Sequence, residues 1–167
     1  HILIMEYKNL INKTLVIVVL FIGIMATNNI YAQTTYKTTN GKTYVFDNTK
    51  NVIFNRAQNN KTTQFYATEG FSVNNPSIVS NTFKNILSAE RIRNLKKDKV
   101  AVIFECNGEG KVESVKFLFN KTPFLTAQEV EQLEQSFLTQ SFSISSNLEK
   151  NQHIKFTIPC FFSRIQK

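Results

Sequence analysis

The chain has no tryptophan, three prolines, two cysteines and two histidines in 167 residues, and acidic side chains are scarce beside basic ones. Each shortage excludes something. With no Trp and fifteen Phe, the aromatic content points to a core built from phenylalanine. There is no C-x₂-C pair, H-E-x-x-H helix or calcium-loop spacing, so no recognised metal site is written into the sequence. A Gly-rich phosphate loop is also missing. One uncharged run, Leu15–Met25, is shorter than the roughly 20 residues a spanning helix needs.

That run has the form of an export signal. Met5 opens a short segment containing Lys8 and Lys13, Leu15–Met25 is the apolar stretch, and Asn28-Asn29-Ile30-Tyr31-Ala32 is the polar region before a cut. Residues 1–32 are therefore expected to be a signal peptide, with residues 1–4 as upstream sequence and cleavage near Ala32. An uncleaved anchor is the alternative. No Cys follows the cut, so a bacterial lipid anchor is not indicated. The expected location is periplasmic or secreted, with no stable membrane span after cleavage. Lys+Arg number 20 against 12 Asp+Glu, a formal charge of +8. Export and the lack of a nucleic-acid motif argue against DNA or RNA as partner.

Length and an apolar fraction of 42% suit one globular domain. Residues 33–75 are rich in Asn and Thr, with short apolar runs at Thr43–Phe46, Val52–Phe54 and Phe65–Ala67 and a turn at Asn40-Gly41. They read as a short β-meander or as a partly flexible leader. Residues 76–167 read as an α+β domain. Asn75-Pro76 has the form of an N-cap and first helical residue. Val79, Phe83, Ile86 and Leu87 make one helical stripe, and Ser88 is placed to cap a second short helix through about Lys96. The basic run Arg91, Arg93, Lys96, Lys97 and Lys99 reads as a solvated face, with an anion-binding patch as the alternative.

Val100–Cys106 is apolar on both parities and is expected to be a central strand, whereas Val112–Phe119 alternates and is expected to have one wet face. Asn107-Gly108-Glu109-Gly110 between them is a hairpin signal. Asn107, Glu109 and Glu113 could loosely ligate calcium, but an ordinary polar hairpin is the simpler reading. Thr126-Ala127-Gln128-Glu129 is a capping box. It opens a helix whose apolar face is Ala127, Val130, Leu133, Phe137 and Leu138. Glu129, Glu131 and Glu134 near its start complement the helix dipole and need no catalytic role. In the last strand Ile154, Phe156, Ile158 and Cys160 share one face, and His153, Lys155 and Thr157 the other. Pro159 lacks a ladder amide, which makes this an edge strand or its end.

Phe104-Glu105-Cys106-Asn107-Gly108-Glu109-Gly110-Lys111-Val112 and Phe156-Thr157-Ile158-Pro159-Cys160-Phe161-Phe162 resemble the strand motifs of the TonB C-terminal domain family. The whole chain also resembles small exported Bacteroidetes proteins of unknown function. The first resemblance implies a three-stranded antiparallel sheet in the order β-β-α-β with helices on one face, preceded here by a short β-rich segment and one or two helices. Energy-transducing TonB proteins have a membrane-helix histidine and a long Pro-rich spacer. This chain has neither, so the resemblance implies the fold rather than that role.

In that antiparallel arrangement Cys106 and Cys160 lie at opposite ends of the sheet, which implies two buried thiols rather than a disulfide. His153 and Cys160 fall on opposite strand faces, which excludes a dyad between them. Cys106–His153 remains geometrically open but without a third, orienting group. The expectation is thus a non-enzymatic protein- or peptide-binding module of the cell envelope, without a cofactor or metal. It would take an envelope protein or peptide by strand addition along His153, Lys155 and Thr157. The alternatives are a thiol-dependent enzyme using Cys106 or Cys160, and a purely structural homodimerising domain.

Overall fold

The computed structural model describes residues 33–58, 66–146 and 152–166. The expected signal peptide lies outside the described residues, as does Phe65.

Three front strands, β1 (Gln33–Lys37), β2 (Thr43–Asp47) and β3 (Val52–Asn55), form an antiparallel meander. Gly41 at φ 80° and Asn51 at φ 54° make its turns. Next come two very short strands, β4 (Tyr66–Ala67) and β5 (Phe71–Val73), and two helices, α1 (Ser77–Ile86) and α2 (Ala89–Asn94). Strands β6 (Lys99–Cys106) and β7 (Val112–Phe119) are followed by α3 (Ala127–Leu138). Strands β8 (Ile144–Ser146) and β9 (His153–Phe161) and a 3₁₀ turn at Phe162–Arg164 complete the order.

The sheet corrects the expected three-stranded architecture. It has seven strands in the order β1-β2-β3-β7-β6-β9-β4, and a separate two-stranded sheet pairs β5 with β8. All pairs are antiparallel except β4 with β9, which makes the large sheet mixed. The extra strands have a physical reason. A three-stranded sheet would leave the outer backbone groups of β7 unpaired and a hydrophobic face only partly covered. Strand β3 satisfies both needs by pairing Ile53 with Phe117 and Phe54 with Lys116. The last strand differs from expectation as well. At its start it is not an edge, because Tyr66 and Ala67 pair with His153 and Ile154.

The core lies between one face of the large sheet and the helices. Val102, Phe104 and Cys106 on β6 and Val115, Phe117 and Phe119 on β7 are buried, as are Val79 and Phe83 of α1 and Val130, Leu133 and Phe137 of α3. Phe104 is the centre of this layer, with ring centroids 5.1 Å from Phe137, 4.7 Å from Phe142 and 5.6 Å from Phe156. Phe83 joins α1 to it, 6.2 Å from Phe137 and 5.4 Å from Phe162. Of these pairs all but Phe104–Phe156 meet edge-to-face, a geometry that adds about 0.5–1.5 kcal/mol per pair beyond burial.

Local signals set the ends of the elements. Leu87 turns to an extended conformation after α1, and the Ser88 hydroxyl accepts the Arg91 amide at 3.1 Å to start α2. The break rotates Ile92 and Leu95 into the core, where a single continuous helix would have pointed them away. Thr126 and Glu129 form both bonds of the capping box. Asn75 is not the N-cap expected of it. Helix α1 is capped at Pro76, and the Asn75 side chain accepts the Ser143 amide at 2.8 Å, in line with the β5–β8 pairing beside it. In the β6–β7 turn, Gly110 has φ 84°, and a Cβ there would lie 2.1 Å from the Phe142 carbonyl oxygen. Only glycine lets the β8 approach run so close to this turn.

Candidate functional site

Strand β9 places His153, Lys155 and Thr157 on the sheet face opposite the helices, and β6 and β7 bring Glu105, Ser114 and Lys116 to the same face. A register shift at Glu105/Cys106 lets Glu113 stand beside His153. The His153 Nδ1 is 2.8 Å from Glu113 Oε2, and its ring meets Tyr66 edge-on at 5.8 Å. Glu105 Oε1 accepts from both Lys155 Nζ and Lys116 Nζ, each at 3.0 Å. Thr157 is exposed opposite Ile103. The side chains of His153 and Lys155 are thus held by neighbours on the sheet.

Burial alone would push the Glu105 carboxyl up, but the two lysine hydrogen bonds and charges outweigh it and hold the group below its ordinary value of 4.5. A lowered carboxyl contributes stability that is full above the ordinary value and is lost as pH falls through the folded one. Replacing Lys155 and Lys116 by alanine is therefore expected to raise the Glu105 value, to lower stability at neutral pH, and to make the further loss on acidification smaller than in the parent. Melting temperatures followed from neutral pH down through the carboxylate range check this. Parallel curves for the variant and the parent would contradict it.

A second polar cluster is buried. Glu131 and Glu134 of α3 are 1% and 0% exposed. Glu134 Oε2 accepts the Tyr44 hydroxyl at 2.6 Å and Asn55 Nδ2 at 3.2 Å, and Lys42 Nζ lies 3.6 Å away. Glu131 Oε1 accepts Asn40 Nδ2 at 3.3 Å and Gln135 Nε2 at 3.2 Å. Burial, and after it the hydrogen bond to Glu134, push the Tyr44 phenol far up, so that it stays a proton donor. These two carboxylates do more than complement the helix dipole, since both are buried with partners from the front of the chain. They clamp the front meander to α3, with Thr39 Oγ1 adding a 3.0 Å bond to Gln128. The signal was present, since Glu134 stands four residues after Val130 and three before Phe137, within the apolar arc.

Cys106 and Cys160 are free and buried. They sit at opposite ends of the β6–β9 pair, where Cys106 faces Ile154 and Cys160 faces Val100. Burial pushes both thiols up to about 12, and for Cys106 the Glu113 and Glu105 charges add to it. At neutral pH such groups are thiols, with almost no nucleophilic thiolate. Asn107, considered as a calcium ligand, instead accepts the backbone amides of Glu109 and Lys111 with its side-chain oxygen. Among the described residues no group of three or more metal-ligating side chains is assembled, and no helix is long and apolar enough to cross a membrane. Of the basic run, Arg91 is taken up by a two-pronged pair with Glu129, at 2.7 and 3.1 Å, and by the Phe124 carbonyl.

These features define a mostly-sheet protein with helices layered on one face of a mixed sheet. No protein-family model matches the chain, and no curated protein matches it. Among solved structures it is similar to the crystal structure of a DUF5043 family protein from Bacteroides uniformis ATCC 8492. The TM-score is 0.55 at 13% identity, over 78% of this chain and 86% of that one. At that identity the likeness is one of fold.

Proposed function

We propose that the chain is an exported, non-enzymatic binding module of the cell envelope, periplasmic or secreted, that takes an extended segment of an envelope protein as an added strand beside β9. The observation that carries this reading is the short cover on β9. Strand β4 pairs only with His153 and Ile154, so among the described residues the outer edge from Lys155 to Phe161 has no strand partner. Pro159 fits a ladder where its nitrogen faces away from β6. Residues of the same parity, Lys155, Thr157 and Phe161, then turn their amides outward, where an incoming strand would bond them. The high thiol values of Cys106 and Cys160 favour this reading over a thiol-dependent enzyme.

Amide hydrogen exchange on the full chain tests the reading. Lys155, Thr157 and Phe161 are expected to exchange much faster than the buried β6 amides in the isolated monomer, and to slow when a partner strand is bound. Uniform protection along β9 in the monomer would overturn the proposal. Protection that appears only as concentration rises, with sedimentation reporting a dimer, would instead favour edge-to-edge homodimerisation.

A further inference from the structure

At the end of the sheet away from His153, the residues after α2, the start of β6, the β7–α3 loop and the end of β9 line a solvent-open cavity of about 310 Å³. Lys96, Lys97, Lys99 and Lys121 line it against a single carboxylate, Asp98. These four lysines are exposed, whereas Lys42, Lys116, Lys155 and Arg91, which are less exposed, each meet a glutamate. Among the described residues the lysines of this cavity have no ion pair. With 20 basic and 12 acidic side chains the chain must leave cations unpaired, and the fold decides where they gather. Four like charges around one concavity repel each other and concentrate positive potential in it, a cost that a bound anion relieves.

One wall of the cavity is aromatic. Phe124 is held edge-on by Phe119 at 5.2 Å and by Phe162 at 5.8 Å, and the Phe161 ring carries the Arg164 guanidinium 4.6 Å from its centre. These rings give the site a fixed apolar surface beside mobile, strongly hydrated ammonium groups, a combination suited to an anionic group joined to an organic body.

We propose that this cavity binds a phosphate ester, with Lys96, Lys97, Lys99 and Lys121 around the phosphate oxygens and the organic part against Phe124 and Phe161. The phosphate can belong to a soluble ester or to a phospholipid headgroup of the envelope, and the charge chemistry is the same for both. The cavity shares Phe161 with the outer edge of β9, but its four lysines lie outside that strand, so loss of anion binding in lysine variants and loss of strand addition are read separately.

The test uses the full chain with two probes: inorganic pyrophosphate, and vesicles of phosphatidylglycerol compared with phosphatidylcholine. Binding is expected to weaken by about tenfold or more in K97E/K121E, and also as salt is raised. A control with the same change in net charge outside the cavity, K37E/K111E, is expected to change binding by less than about threefold. Binding of pyrophosphate, with the same dependence on Lys97 and Lys121, shows that a soluble phosphate group is held without a membrane. Binding of phosphatidylglycerol vesicles alone, with the same dependence on Lys97 and Lys121, identifies a headgroup.

Amide chemical shifts of the unaltered chain supply a measurement free of folding effects. Pyrophosphate or short-chain phosphatidylglycerol is expected to move Lys97–Lys99 and Asn120–Thr122. Shifts confined to other regions, equal losses in the two charge variants, or no binding in either arm would overturn the proposal.

Discussion

Truncating Phe104 to alanine is expected to cost about 3–5 kcal/mol, the range for removing a large buried aromatic side chain. Phe104 is fully buried in β6, an interior strand of the sheet, and its ring touches residues from three separate parts of the chain: Phe137 of α3, Phe142 before β8 and Phe156 of β9. No one of these can close the gap, because each is fixed by its own element. A domain of ordinary stability has about 5–15 kcal/mol in all, so the loss would take a large part of it. A fall in melting temperature of roughly 10–20 °C should accompany it. Phe104→Leu, which keeps most of the volume, is expected to lose markedly less. Chemical denaturation of the three proteins measures both values. A cost under about 1 kcal/mol for Phe104→Ala would contradict its place at the centre of the core.

Replacing Glu134 with leucine is expected to cost about 2–4 kcal/mol, for a different reason. The leucine fills the space, but the Tyr44 hydroxyl and the Asn55 amide lose their buried acceptor. Lys42 is about one-third exposed and can turn to water, so its loss is the smaller part. Removing the stranded donor as well should recover stability. Tyr44→Phe combined with Glu134→Leu is expected to lose less than the sum of the two single variants, the sign of a direct interaction. Additive losses in that cycle would show that the clamp does not act as a unit. Because the clamp joins β2 and β3 to α3, the single variant should also speed hydrogen exchange in the front meander more than in β6.

Much of the local structure was legible because it depends on neighbouring residues. The capping box at Thr126 and Glu129, the helix break at Ser88, the Asn107–Gly110 turn and the apolar parities of β6 and β7 each follow from side-chain chemistry within a few positions. Where the signal was short or shared with distant residues, it misled. Phe71–Val73 and Ile144–Ser146 are too short to show a period of two, and they exist as strands only because each supplies the other's ladder; the apolar run ending at Ala67 does contain a strand, Tyr66–Ala67, but it pairs with β9 and not with the front meander. Asn75 carried a good capping signal but was taken by Ser143, a contact that sequence distance hides.

The same division runs through the sites. His153, Lys155 and Thr157 were correctly grouped by strand parity, yet parity says nothing about a partner two strands away. Glu113 and Glu105 hold His153 and Lys155, and β4 covers the beginning of the supposed edge. The lysines around the cavity lie partly in one basic run, but Lys121 comes from another loop and Phe161 from another strand.

By itself, the sequence determined a phenylalanine core, the positions of the main helices and central strands, an excess of basic charge, and thiols without a metal motif. Tertiary structure alone decided that the Asn- and Thr-rich front joins the sheet, that Glu131 and Glu134 are buried against it, and where the unpaired lysines gather. Periodicity records which face of an element is apolar, a property of adjacent residues. Strand order, buried hydrogen-bond partners and surface charge clusters depend on which distant segments meet, and that is set by the need to cover the edge of β7 and the open face of a single core.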